Sequence, residues 1–269
     1  MFGGLVAGAD HATSLPTTRV EGYEPAINTW KAGPDLPIPL HHAMAVTYHD
    51  ELIVMGGWQP DATSLTAITS NRVFALRSGQ WVELPNLLQS RAAGAAAVIG
   101  DNIIVVGGQD ANSKLIATTE IFDGTRWRTA AAIPTPREHL AAASDGTYLY
   151  AVGGRALSAD KNTAALERYD PNANRWEPLP PMPTPRGSLG AALVDNRLIA
   201  VGGEQPVGVY DTVEAFDITT KTWTNLPPLR TPRHGLGVAA VGTAIYALDG
   251  AVRPSHTYST TTAEALPFS

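Results

Sequence analysis

Apolar residues in this chain come in short runs, and each later run stops at a pair of glycines. Leu52-Ile53-Val54-Met55 ends at Gly56-Gly57 and Ile103-Ile104-Val105-Val106 at Gly107-Gly108. Further pairs stand at Gly3-Gly4, Gly153-Gly154 and Gly202-Gly203, with Asp249-Gly250 in the next slot. The steps between them are 53, 51, 46, 49 and 47 residues. Short β-branched runs bounded by glycine predict strands. After each pair comes Tyr23, Phe74, Phe122, Tyr169 or Phe216, with Leu266 in the last slot. Trp30, Trp81, Trp127, Trp176 and Trp223 follow, seven residues on in four units and five in the third. Leu40, Arg91, Arg137, Arg186 and Arg233 each lie 16 residues ahead of the next pair. That constant spacing predicts a fixed two-strand hairpin. Each unit thus divides into four strands. Strand a is small and apolar, as in Gly94–Val98, which suits convergence on an axis. Strand b runs into the glycines, strand c carries Glu-x-aromatic as in Val213–Phe216, and strand d carries the Trp. Segments such as Asp170–Asn174 have the composition of turns between c and d.

A period near 50 with Gly-Gly, Tyr/Phe and Trp resembles the Kelch repeat over essentially the whole chain. The fullest unit runs from Tyr150-Ala151-Val152-Gly153-Gly154-Arg155 through Glu167-Arg168-Tyr169-Asp170-Pro171 and Arg175-Trp176 to Pro183-Thr184-Pro185-Arg186. The resemblance implies an all-β, Kelch-type β-propeller forming one domain, 1–269. Six four-stranded blades are expected, near 1–39, 40–90, 91–136, 137–185, 186–232 and 233–269, the first lacking strand a and the last lacking strand d. The chain is therefore expected to be half a blade short. A d–a stretch of roughly 25–30 residues beyond Ser269 would close the ring of repeats.

Composition narrows the function. With 25 Gly and 21 Pro, 16% charged and 44% hydrophobic residues, the chain is neither a helical bundle nor disordered. The absence of cysteine excludes disulfides, thiolate metal sites and the Cys–Tyr cofactor of copper radical oxidases. A net charge of −6 argues against a nucleic-acid partner. No signal-peptide pattern is visible, and no stretch approaches the ~18 apolar residues of a membrane span. No cofactor is expected. The Ala-rich strands and Thr-Pro-Arg turns look similar to bacterial Kelch domains, some of which follow a kinase domain and a membrane span. In that setting an extracytoplasmic sensor is expected, with a cytoplasmic location as the alternative.

Strand order a–b–c–d places the d–a and b–c loops on one face. The b–c segments (5–17, 58–70, 109–117, 155–164 and 204–211) are the longer and more variable ones, where binding usually sits. The d–a side offers His41, His42, Arg91, Arg137, Glu138, His139, Arg186, Ser188, Arg233 and His234. The b–c side adds Trp58, Gln109, Asp110, Arg155 and Glu204. Resemblance to Kelch domains that grip acidic peptides implies that Arg91, Arg137, Arg155, Arg186 and Arg233 contact ligand; Leu40 breaks that pattern. The competing reading is structural, with each guanidinium bonding neighbouring loop carbonyls. The recurring Glu21, Glu120, Glu167, Glu214 and Glu264 read as blade-to-blade contacts, and the repeated Trps as core. The four histidines lack a His-x-x-x-His spacing, so no metal is assigned.

The leading expectation is a non-enzymatic module that recognises a peptide, protein or glycan on this face, as a monomeric propeller within a longer polypeptide. One alternative is a mutarotase of the sialic-acid type using Arg137, Glu138, His139, Arg186 and Glu204, with Glu138 and His139 as the acid/base pair. The other is a scaffold domain with no small ligand.

Overall fold

Every apolar run ahead of a glycine pair, the N-terminal one excepted, becomes the second strand of an antiparallel sheet. The computed structural model describes residues 1–7, 14–61, 67–254 and 258–267. Two hairpins open the chain, β1 (Leu5–Ala7) with β2 (Ser14–Pro16) and β3 (Glu21–Glu24) with β4 (Thr29–Ala32). The first blade is β5 (Met44–Tyr48), β6 (Glu51–Met55), β9 (Val73–Arg77) and β10 (Gln80–Leu84). A small hairpin, β7 (Trp58–Pro60) with β8 (Ala67–Thr69), interrupts it. The second is β11 (Ala95–Ile99), β12 (Asn102–Val106), β13 (Thr119–Phe122) and β14 (Trp127–Ala130). The third is β15 (Ala141–Ser144), β16 (Leu149–Val152), β17 (Leu166–Asp170) and β18 (Arg175–Leu179). The fourth is β19 (Gly190–Val194), β20 (Arg197–Val201), β23 (Val213–Asp217) and β24 (Thr222–Leu226), interrupted by β21 (Glu204–Gln205) and β22 (Gly208–Val209). The fifth has three strands, β25 (Gly237–Val241), β26 (Ala244–Leu248) and β27 (Ala263–Pro267).

Five blades therefore stand where six were expected. The first unit does not build a blade sheet. Phe2 meets Val20 through one isolated bridge, and β3 pairs only with β4. Among the described residues no inner strand pairs with Phe2, so this hairpin has no small-residue layer beneath it and stays largely exposed.

Neighbouring blades pack face to face through their apolar runs. Ile104 and Val106 of the second blade share one buried cluster with Leu149, Ala151 and Tyr169 of the third. Trp176 belongs to the same cluster, and its indole N–H donates to Ala131 O of the preceding blade at 2.9 Å. Trp81, Trp127 and Trp223 repeat this, donating to Pro34, Pro85 and Pro180 carbonyls. Trp127 and Trp176 are thus both core and clasp, and Trp81 and Trp223 are half-buried clasps.

The innermost turns form a collar. His42, Ala93, His139, Ser188 and Gly235 hold one slot, two residues past Leu40 or the arginine, with φ between 52° and 60°. Ala93 N–H donates to His42 O, His139 to Ala93, Ser188 to His139 and Gly235 to Ser188, at 2.7–2.9 Å. Beside the collar, Gly153 sits at φ +61°, where an added Cβ would lie 2.7 Å from Arg186 O. Gly153→Ala meets both strain and a backbone clash and should cost roughly 2 kcal/mol or more in urea unfolding. Gly100→Ala has φ +54° but open space around its Cβ, so it should cost clearly less; equal losses would show that the close approach is unimportant.

Candidate functional site

The d–a arginines do not reach the face predicted for them. Arg91, Arg137, Arg186 and Arg233 are 0–1% exposed. Each lies between its own blade's strand-c glutamate and the carbonyls around the glycine pair. Arg137 shows the full set: Nε donates to Gly153 O at 2.6 Å and a terminal nitrogen to Ala151 O at 3.0 Å. The other terminal nitrogen donates to Thr135 O at 2.8 Å and Glu167 at 2.5 Å. Arg186 repeats this on Gly202, Thr184, Ala200 and Glu214, Arg91 pairs with Glu120, and Arg233 with Glu264. The glutamates also take the crossover itself. Leu88 and Gln89 N–H bond Glu120, and the Thr184 hydroxyl bonds Glu214. The expectation that these four arginines contact ligand is therefore corrected. Planar guanidinium has enough donors to tie strand, glycine turn and crossover at once, as Arg137 and Arg186 do, and burial keeps all four from the cavity.

Burial pulls the Arg91, Arg137 and Arg186 pKa values down, against the opposing glutamate at each. For Glu264, burial raises the carboxyl, but Arg233 and the Arg230 and Thr231 N–H groups outweigh it and hold it below its ordinary value. A depressed carboxylate stabilises the fold above its unfolded pKa, and that stability is lost as pH falls through the folded value.

The second unit shows the same slot solved without charge. Leu40 fills it at 0% exposure. Arg72 takes the glutamate's register two residues before Phe74 and turns out to Glu83, at 2.9 and 2.7 Å.

What does face the cavity is a smaller polar cluster. Arg155, 15% exposed, donates from Nε to Glu138 at 2.8 Å and from a terminal nitrogen to Glu204. Ser188 Oγ donates to Glu204 at 2.7 Å, and His234 Nδ1 lies 3.6 Å from the same carboxylate. His139 touches Glu138 and lies edge-on to His42, whose Nδ1 is 2.6 Å from His41 Nδ1. Arg155, Glu204 and the four histidines line a cavity of about 820 Å³ on the axis. Glu138, the proposed acid/base partner of His139, is 1% exposed and lies beneath it. Trp58 is half-buried in the first-blade hairpin, bridged to His41. Gln109 and Asp110 sit in the second blade's b–c turn. Asp110 closes that turn on the Asn112 and Lys114 N–H groups. Among the described residues no group of three or more His, Asp or Glu is placed to hold a metal ion.

The rim was not foreseen. Among the described residues ten large apolar side chains are exposed, and five belong to b–c segments: Val6, Leu15, Leu157, Val207 and Tyr258. Val207 is 91% exposed, at the tip between β21 and β22. Leu157 lines the cavity, as do Leu5, Ser158, Pro206 and Ser259 of the segments that carry the others, so these segments form its mouth.

The model of the KLHDC2/KLHL20/DRC7 Kelch-repeats domain matches residues 41–250. Alpha-scruin of Limulus polyphemus is 26% identical over 157 residues, 55% of this chain and 17% of that protein. Kelch domain-containing protein 8B of Rattus norvegicus is 31% identical over 162 residues, 56% of this chain and 46% of that protein. The chain thus spans less than half the length of these relatives. The solved structure of YjhT superposes with a TM-score of 0.76 at 16% identity, covering 88% of this chain and 84% of that one; the likeness is one of fold.

Breaking one partner of a buried pair leaves an uncompensated charge, so Arg186→Ala should cost about 3–5 kcal/mol in urea unfolding. Arg186→Leu with Glu214→Arg copies the Leu40/Arg72 solution and should recover most of that loss; no recovery would show that the slot demands charge. Acid titration followed by hydrogen exchange at the Arg230 and Thr231 amides should show the last crossover loosening as pH falls through the depressed Glu264 value, below the ordinary carboxylate range, and Glu264→Gln should remove that step. A step unchanged in Glu264→Gln would assign it to other carboxylates.

Proposed function

The chain belongs to the Kelch-repeat family, and from that premise we propose that it is a protein-interaction module whose b–c loop face receives a peptide or a partner's protruding loop. The observation that carries this reading is the apolar crown. Leu157, Val207 and Tyr258 are exposed on consecutive blades, with Arg253 over one face of Tyr258, beside a cavity in which Arg155, Glu204 and four histidines stand among a mostly apolar lining. A surface that exposes grouped apolar side chains is one that a partner covers. Burying each is worth roughly 1.5–3 kcal/mol, so a few of them suffice for a specific complex. The floor supplies orientation: Arg155 and Glu204 offer a donor and an acceptor, and the imidazoles can do either. The b–c segments that carry the rim differ in length and sequence from blade to blade, whereas the d–a loops beneath them repeat. Selectivity therefore belongs to the rim.

A display selection of peptides against the chain supplies a ligand, and fluorescence anisotropy then reads its affinity. The triple variant Leu157→Asp, Val207→Asp and Tyr258→Asp should bind at least about tenfold more weakly, as the loss of one such contact implies. Ile27→Asp, in a c–d turn on the opposite face, should bind as the parent does. A triple variant with undiminished affinity, or a loss confined to Ile27→Asp, would place recognition elsewhere. A parallel glycan array that yields the only ligand would reassign the face to carbohydrate.

A further inference from the structure

Two neighbouring b–c segments are bonded to each other, and the join lies beneath two of the exposed apolar tips. The residues that follow the glycine pairs are Leu5, Trp58, Gln109, Arg155, Glu204 and Ala251. The two charged ones stand in adjacent blades and pair, Arg155 of the third with Glu204 of the fourth. Asn162, late in the third blade's segment, adds a second bond: its Nδ2 donates to Glu204 O at 2.7 Å. Glu204 is also fixed within its own blade. Its N–H donates to Gly187 O at 2.9 Å, and its carboxylate accepts from the Ser188 hydroxyl at 2.7 Å.

One glycine leaves room for this join. The residue after the slot is His41, Ala92, Glu138, Gly187 or His234, each bridged to the residue after its own blade's glycine pair. At Gly187 an added Cβ would lie 3.0 Å from Asn162 Oδ1 and 3.2 Å from Arg155 Cδ. The missing side chain is thus the space through which Asn162 and Arg155 reach the fourth blade. Asn162 is half-buried and does not line the cavity. Its Oδ1 is buried without a hydrogen-bond partner among the described residues, so the amide is spent on Glu204 alone.

The tips on either side are held, not loose. Leu157 stands at φ +70°, a conformation that bulky side chains rarely adopt without support. The segment around it closes on itself. Ala156 N–H donates to Lys161 O at 3.1 Å, Lys161 N–H to Ser158 O at 2.9 Å and Thr163 N–H to Gly154 O at 2.9 Å. A 3-10 turn within it, Ala159–Lys161, touches β21. Val207 tops the turn from β21 to β22, where Glu204 pairs with Val209. Glu204 therefore stands at the base of one tip and is bonded to the segment that carries the other.

We propose that Asn162 is a positioning residue. Through Glu204 it locks the third and fourth b–c segments into one grip, on which a single partner segment seats one apolar side chain against Leu157 and another against Val207. Loops already ordered in the bound geometry lose less freedom on binding, and that is how a bond remote from the ligand adds affinity. The proposal rests on the loop-face reading and narrows it to two blades.

Asn162→Ala removes the donor together with the unpartnered buried acceptor, so the urea midpoint should stay near that of the parent. Binding of the display-selected peptide is then followed by stopped-flow fluorescence. The association rate should fall roughly fivefold, as for loss of one hydrogen bond. The dissociation rate should stay within about twofold, because the bound peptide re-forms the grip and only the competent fraction of free protein has changed. Gly187→Ala, which crowds Asn162 instead of removing it, should act the same way. Without peptide, the Glu204 and Tyr210 amides should exchange several-fold faster in Asn162→Ala, and that of Val213 in β23 at the parent's rate. An unchanged association rate, unchanged exchange at Glu204, or a change confined to the dissociation rate overturns the proposal, the last because it would make Asn162 a ligand contact. If the Leu157, Val207 and Tyr258 triple variant weakens binding and Asn162→Ala does not, the positioning role alone fails. If the triple variant binds as the parent does, the loop-face reading itself fails.

Discussion

Four buried guanidinium groups hold the crossovers from one blade to the next. Each crossover must leave the outer strand of one sheet, pass over its edge and enter the inner strand of the following one. Such a segment carries backbone carbonyls with no ladder to satisfy them, and buried polar groups without partners are costly. Arg137, Arg186 and Arg233 each take one crossover carbonyl, all four slot arginines bond carbonyls of their own blade, and the strand-c glutamate balances the charge. The collar of left-handed residues follows directly, because the slot fixes where the chain turns two residues later. The glycine pairs follow too, since Gly153 and its equivalents approach the slot carbonyl too closely for a Cβ.

Net stability is not what such a pair chiefly supplies. Desolvation offsets much of the attraction in a buried ion pair, and the Leu40/Arg72 unit shows that an apolar residue can fill the slot. What the pair provides is register. A guanidinium bonded to two or three carbonyls and a carboxylate admits one position of the crossover, so the loop face rests on a fixed geometry. The function then moves outward, to b–c segments that no repeat constrains.

The repeat made most of this fold readable. Glycine pairs, Trp spacing and small inner strands each mark one strand of a blade, and from the second unit onward the glycine pairs and inner strands appear where the spacing puts them. Four of the five register glutamates are structural as their spacing implies, whereas Glu21, in the same register, is exposed and forms no side-chain ion pair among the described residues. The arginines were not readable as structural, because a slot fixes where a residue stands and not which way its side chain turns. A signal was nevertheless present. The second unit departs at both positions together, Leu40 for arginine and Arg72 for glutamate, and such paired departure is the mark of residues in contact. The sixth blade failed because counting strands ignores whether an inner strand lies beneath Phe2. The apolar crown left no mark in the repeat, since Val207 and Tyr258 lie in segments without common register.

The central claim is that the d–a loops are a pinned floor and the b–c tips a free rim. Native-state hydrogen exchange measures this residue by residue. The amides of Gly108, Gly154, His139 and Ser188 should exchange only through global unfolding, at the rate of strand amides such as Val105, while Val207 exchanges orders of magnitude faster. If these four amides exchanged on the timescale of Val207, the guanidinium clamps would not be what orders this face.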